Sequence, residues 1–271
     1  MTSTSAAQRK QTDTTINMGT TMQTALTVDI HTHILPGVDD GAENLEIAQQ
    51  LLRIQKIKGI DRVALTPHFY PLRQEMDTFL ERRQRAYELL LRGWDPETMP
   101  QLQLGAEVHY SARLAEMDLR RLTIERGRYL LLELSNTTIP AHIERVLQLM
   151  REQEITPILA HVERCVYFRE EPERLVRLVK LGALAQLSAK AFLQRNEQKF
   201  AKMCLQRDAA HIIASDIHNA GEKKAWLCHA GQNLDEEVFA RAERFAKAVW
   251  DDEAPPPYKV SSIKRTLFSY R

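Results

Sequence analysis

The sequence predicts an α/β protein built on a parallel β/α barrel, and three observations carry that expectation. From about residue 26, short β-type runs alternate with longer helical ones, giving seven such repeats; this implies parallel strands joined by helical crossovers. The runs are almost continuously apolar, as strands buried on both faces are. Residues of metal-ligand type stand at or near the carboxyl ends of six of the runs, where barrel enzymes build their sites. That last feature favours a closed barrel over an open doubly wound sheet.

The first run, LTVDIHTH (26–33), ends on two histidines one residue apart, and the strand period of two points both to one side. NLEIAQQLLRIQKIKG follows with Leu45, Ala48 and Leu52 at helical spacing and Gly59 as its C-cap. DRVALTPH (61–68) closes on His68, LQLGAEVHY (102–110) carries Glu107, and YLLLEL (129–134) carries Glu133. AHIERVLQLMREQ reads as a helix entered from Pro140, TPILAH (156–161) ends on His161, and PERLVRLVKLG runs as a helix from Pro172 to Gly182. ALAQLSA (183–189) and AHIIASDIH (210–218) complete the strands, the latter ending on Asp216 and His218. DEEVFARAERFAKAVW adds a final helix before the Pro-rich break DDEAPPPYKV. The organisation expected is a disordered extension over 1–25, one barrel domain over 26–250 and a Pro-containing tail over 251–271.

Composition narrows the class further. The 271 residues, 44% hydrophobic and 27% charged, suit a soluble globular protein with a sizeable core. A formal net charge of +1 supplies no global field for nucleic acid or an anionic membrane. Three cysteines without a CxxC pair argue against a disulfide framework and for a reducing cytoplasm. No window approaches the roughly 18 apolar residues of a membrane helix, and the Thr-, Ser- and Gln-rich start lacks a signal-peptide core.

The strand-end residues His31, His33, His68, Glu107, Glu133, His161, Asp216 and His218 mix imidazole with carboxylate. That set suits Mn, Fe, Zn or Co better than Ca or Mg, and the absence of cysteine argues against a structural zinc site. So many ligands exceed one ion and point to two or three sharing carboxylates. Such centres turn bound water into hydroxide near neutral pH and clamp an in-line displacement, the chemistry of phosphoester hydrolysis. Arg164, three residues beyond His161, could grip phosphate oxygens, its plainer reading being an ion pair with Glu163 or Glu170. Lys223 is a second cation near the same rim. Asp39 reads as a turn residue, and His109, although on the strand face of Glu107, is left outside the site. Phe69 and Tyr70 either wall an aromatic pocket or pack a loop. His142, His211 and His229 read as structural or solvated. No Cys-x5-Arg loop, GxSxG elbow or Walker A loop is present.

DIHTHILPGVDDGAENLEIA, ALTPHFYP, LGAEVHY, LLLELS, LAHVERC and ASDIHN resemble, in order, the motifs of the bacterial metal-dependent tyrosine phosphatases that regulate capsule and exopolysaccharide synthesis, within the polymerase and histidinol phosphatase (PHP) superfamily. The likeness spans roughly residues 26–250, and LPGVDDG is its most specific part. It implies a distorted seven-stranded PHP-type, TIM-like barrel holding three ions, typically manganese, with Fe, Co, Zn or Mg as alternatives. The implied ligands are His31, His33, Asp40, His68, Glu107, Glu133, His161, Asp216 and His218; the place of Asp40 in the set rests on the resemblance. Arg164 matches the phosphate-holding arginine of the HVER motif, whereas the family's second phosphate-side arginine is matched only by Lys223, which lacks the bidentate fork. The expected activity is hydrolysis of phosphotyrosine on a tyrosine kinase of polysaccharide export, by attack of a metal-bridged hydroxide. The rivals are a histidinol-phosphate-like small-molecule phosphatase, a metal-dependent phosphodiesterase and a non-enzymatic regulator. No basic stripe with interleaved aromatics favours nucleic acid.

Overall fold

The computed structural model describes residues 26–221, 227–228, 230 and 234–263. The expected N-terminal extension, His229 and Lys223 lie outside these residues, as does the end of the tail. The described residues form a mixed α/β fold with parallel sheets. They begin with β1 (Val28–Thr32), α1 (Leu45–Ile57), β2 (Arg62–Leu65), β3 (His68–Phe69), α2 (Met76–Leu91), β4 (Gln101–Leu104) and β5 (Glu107–His109). There follow β6 (Tyr129–Glu133), α3 (Ile143–Glu152), β7 (Thr156–Leu159), α4 (Val166–Glu170), α5 (Pro172–Lys180), β8 (Leu184–Ser188), α6 (Arg195–Gln206), β9 (Ile212–Ala214) and α7 (Glu236–Trp250).

Two expected strands are each broken in two. The run 61–68 divides at Thr66 and Pro67, where proline has no N–H for a ladder; the run 102–110 divides beside it at Gly105 and Ala106. The halves join different sheets, β1-β2-β4 on one side and β3-β5-β6-β7-β8-β9 on the other, all pairs parallel. Beyond the named strands, Thr32 bridges Ile217 in parallel, with His33 N–H donating to Ile217 O (3.0 Å) and Asp216 N–H to His31 O (2.9 Å). A second departure lies between β5 and β6. There the crossover contains only short 3-10 turns at Ala112–Glu116, Leu119–Arg121 and Ile124–Arg126, and Glu125 and Arg126 both take left-handed backbone shortly before β6.

One irregularity positions the site. In the β1–β2 ladder Asp29 pairs with Val63, but Thr32 pairs with Leu65, so β1 carries one extra residue there. Val63 and Leu65 share a face, so Thr32 returns to the face of Asp29. His31 and His33 are thereby turned to the side of Val28, which unbroken alternation would have denied them. Val28 and Ile30 pack with Ala64, Leu131, Ile158, Leu184, Ile212 and Ala214 in an inner cluster, joined by Phe245, Ala246, Val249 and Trp250 of α7. A second apolar layer under the other helices includes Leu51, Leu65, Leu132 and Val179.

The first helix is closed at both ends. The Asn44 side chain accepts from Ile47 N–H at the start of α1, and Gly59 (φ 88°) follows its last turn in the left-handed region. His211 proves structural: its Nδ1 accepts from Ala185 N–H at 3.2 Å, its ring meets Tyr258 and Phe245, and burial pushes its pKa down to about 3. The described part of the tail lies against the body, with Ser261 N–H on Arg207 O and Ile263 fully buried.

Candidate metal centre

The nine candidate ligands come together: His31 lies within β1, His68 and Glu107 open β3 and β5, Glu133 closes β6, and His33, Asp40, His161, Asp216 and His218 stand in the segments that follow β1, β7 and β9. Glu107, on β5, is the hub. Its Oε2 lies 3.1 Å from His31 Nε2, 3.2 Å from His33 Nε2 and 3.1 Å from His68 Nδ1, and its Oε1 lies 2.9 Å from His161 Nε2. Asp216 closes the inner group, Oδ1 standing 3.4 Å from the Nε2 atoms of both His31 and His33. Asp40, on the loop after β1, lies 3.8 Å from His68 Nε2 and 3.6 Å from His218 Nε2. Glu133, at the end of β6, is 3.8 Å from His161 Nε2 and 3.9 Å from His68 Nδ1.

Among the described residues these atoms make three overlapping donor sets: His31, His33, Glu107 and Asp216; His33, Asp40, His68 and His218; and His68, Glu107 and Glu133. The sets fit cations on chemical grounds. Two imidazole Nε2 atoms face each other at 3.1 Å, and Glu107 Oε2 is ringed by three imidazole nitrogens at 3.1 to 3.2 Å. Lone pairs converging in a dry interior repel unless protons or cations lie between them.

In the protein alone, protons take that part. Burial opposes the charged form of His33, but hydrogen bonds to Asp216, Asp39 and Glu107 outweigh it and raise its pKa well above the usual value. His31 is raised against burial by the charges of Glu107 and Asp216. Burial would raise Glu107 and Asp216, yet the charge of His31 and hydrogen bonds from the imidazoles hold both well below the carboxylate range. His218 is lowered, by burial first and then by His33.

A second layer of side chains fixes the imidazoles. Asp39 accepts from His33 Nδ1 at 2.7 Å and from the backbone N–H groups of His68 and Gly41, so His33 turns Nε2 inward. These partners overcome its burial and hold Asp39 at about 2. The expectation that Asp39 only shapes a turn is therefore too narrow. Gln186 on β8 accepts from His31 Nδ1 (3.1 Å) and His161 N–H (2.9 Å). Sequence reasoning missed it, although it is a polar residue in the middle of an apolar run on the strand that supplies no ligand. His109, left outside the site, reaches it after all, its Nδ1 lying 2.9 Å from Glu133 Oε2. His161 (φ 31°) and Asp216 (φ 53°) both adopt the left-handed backbone that non-glycine residues seldom occupy, and such positions concentrate at functional sites.

Arg164 stands in the 3-10 turn Val162–Arg164 and donates from Nη2 to Asp216 Oδ2 and to Ser188 Oγ (3.2 Å). Its ion pair is thus with Asp216 rather than Glu163 or Glu170. The two aromatic residues after His68 divide: Phe69 is buried against Phe79, while Tyr70 lies at the rim with its ring 5.2 Å from His68 and 5.6 Å from His109. Burial and the charges of Glu133, Asp40 and Glu107 push the Tyr70 hydroxyl up to about 12.

Comparison with known proteins adds an independent line. Residues 27–243 match the family model described as capsular polysaccharide synthesis, CpsB/CapC. A putative tyrosine-protein phosphatase CapC of Staphylococcus aureus is 29% identical over 199 residues, covering 71% of this chain and 77% of that protein. Tyrosine-protein phosphatase CpsB of Streptococcus pneumoniae is 28% identical over 215 residues, covering 75% and 87%. In fold, the chain is similar to a structure reported for YwqE of Bacillus subtilis and CpsB of S. pneumoniae, described as metal-dependent tyrosine phosphatases. The TM-score is 0.75 at 22% identity, over 88% of this chain and 99% of that one.

Proposed function

This chain belongs to the CpsB/CapC family of capsular polysaccharide synthesis proteins, and from that membership we propose that it is a metal-dependent protein-tyrosine phosphatase. The observation that carries the reading is the run of three donor sets linked pairwise through His33, His68 and Glu107, one of them reaching the guanidinium of Arg164 through Asp216. Three sets support three ions, and mixed imidazole and carboxylate donors support manganese, with iron, cobalt, zinc or magnesium able to use the same atoms. The bridge between Thr32 and Ile217 supports reading the two sheets as one distorted, seven-segment PHP-type barrel. The substrate proposed is a phosphotyrosine-bearing bacterial tyrosine kinase that controls capsule or exopolysaccharide synthesis. Among the described residues no helix is long and apolar enough to cross a membrane, and free Cys165, Cys204 and Cys228 accord with action in the cytoplasm.

Bound ions would supply Lewis acidity and a hydroxide nucleophile near neutral pH. The protein's own residues then have separable tasks. Asp39 and Gln186 hold His33 and His31 in the tautomer that presents Nε2. Asp216 anchors Arg164, whose fork offers donors to non-bridging phosphate oxygens and offsets charge as it builds. The leaving phenolate has a conjugate acid with a pKa of about 10, so it needs less proton donation than an alkoxide.

Chelation followed by return of single defined metals should abolish and then restore hydrolysis of phosphotyrosyl peptides, with faster turnover on these than on sugar or amino-alcohol phosphates. Preference for the small phosphates, or undiminished activity after verified metal removal, would reject the reading. The raised imidazoles give a second expected result. Their protons must leave before the nitrogens can ligate, so metal addition releases protons, and apparent metal affinity climbs with pH until His31 and His33 are neutral in the metal-free protein. Calorimetry in buffers of different ionisation enthalpy counts those protons; no release at pH 7 would contradict it.

A further inference from the structure

Resting on the phosphatase reading, we infer that Lys190 is a phosphate-binding residue that acts with Arg164. Both side chains line one cleft of about 480 Å³, whose other walls are Asp40, Asp216, His218, Asn219 and Gln194. The cleft thus opens directly onto candidate ligands. Among the described residues lining it, Arg164 and Lys190 are the two cations, set against the carboxylates Asp40 and Asp216. A phosphomonoester carries close to two negative charges at neutral pH. Arg164 already spends one Nη on Asp216 and Ser188, so a second cation on the same wall would share with it the charge of an entering dianion.

Local structure puts Lys190 in place for this. It belongs to the 3-10 turn Ala189–Phe192 that follows β8. Ser188, at the root of the turn, accepts from Arg164 through Oγ and donates its N–H to Glu163 Oε1 at 3.2 Å, tying the turn to the HVER loop. Ala189, Ala191 and Phe192 are fully buried, and Gln198 donates to Phe192 O at 2.7 Å. The turn is therefore fixed by its neighbours, and the half-buried Lys190 is the member of it that faces the cleft. An ammonium at this point supplies a point charge to phosphate, complementing the planar fork of Arg164. Lys190 thus offers a second phosphate-side cation distinct from Lys223.

The test compares the metal-loaded wild type with Lys190→Ala, Lys190→Arg and Lys223→Ala, using p-nitrophenyl phosphate as substrate and inorganic phosphate as ligand. Lys190→Ala should raise KM and the phosphate inhibition constant together by roughly tenfold, with kcat changed less and metal content unchanged. Lys190→Arg should recover most of the loss. Unchanged KM and phosphate affinity in Lys190→Ala at equal metal content would overturn the inference, as would Lys223→Ala carrying the whole effect. Failure of the phosphatase reading looks different: wild type then leaves the aryl phosphate intact, while calorimetric phosphate binding to the wild type and Lys190→Ala still decides the role of Lys190.

Discussion

Asp216→Asn should lower kcat/KM on a phosphotyrosyl peptide by more than about a hundredfold while the chain stays folded. Asp216 works on two sides: Oδ1 faces His31 and His33, and Oδ2 holds Arg164. Asparagine keeps the shape and an acceptor and tolerates the left-handed backbone that Asp216 occupies at φ 53°. What it removes is charge, in a pocket where Asp216 is almost wholly buried. Two imidazoles and a guanidinium then face one carboxylate fewer, so a cation is held less well and Arg164 loses its ionic anchor. Metal analysis, circular dichroism and steady-state kinetics together check the result. Full activity with full metal content would remove Asp216 from the centre.

Much of the centre was legible because barrel-type chemistry and strand ends coincide. Eight of the nine converging residues stand at or near strand termini, and position alone singles them out. Asp40 does not: it is largely exposed, and only the resemblance of LPGVDDG ranks it above Asp39. The supporting layer was less visible for physical reasons. Gln186 looks like an isolated polar residue until His31 Nδ1 is seen to face it. His109 shares parity with Glu107 on β5, but its partner Glu133 comes from the next strand. The extra residue in β1 leaves no mark in the sequence, because His31 and His33 share a face with or without it; only the ladder reveals that they have joined the face of Val28. Pro67, by contrast, was an available warning that the run 61–68 would not hold as one strand.

The conformation of the loop after β1 gives the other large expected effect, the loss of activity in Gly41→Ala. A β-carbon on Gly41 would fall 1.9 Å from His33 O and 2.5 Å from His33 Cβ, far inside van der Waals contact with the residue that directly follows β1. No side-chain rotation relieves that clash, so the loop must lift from β1. Lifting breaks the bond from Ala42 N–H to His33 O at 2.9 Å and the bond from Gly41 N–H to Asp39 at 3.0 Å. Asp39 then no longer fixes His33 Nδ1 or the N–H of His68, and Asp40 is carried away from His68 and His218. One methyl group thus disturbs ligands in all three donor sets. Activity should fall by more than about a hundredfold, with reduced metal content and a lowered Tm. Asp39→Asn separates the causes. It leaves the backbone in place, so a smaller loss of activity there, at near-normal stability, isolates the orientation of His33 from the displacement of the loop. If Gly41→Ala retains metal and turnover, the close approach of Gly41 to His33 does not hold the loop, and the final glycine of LPGVDDG needs another explanation.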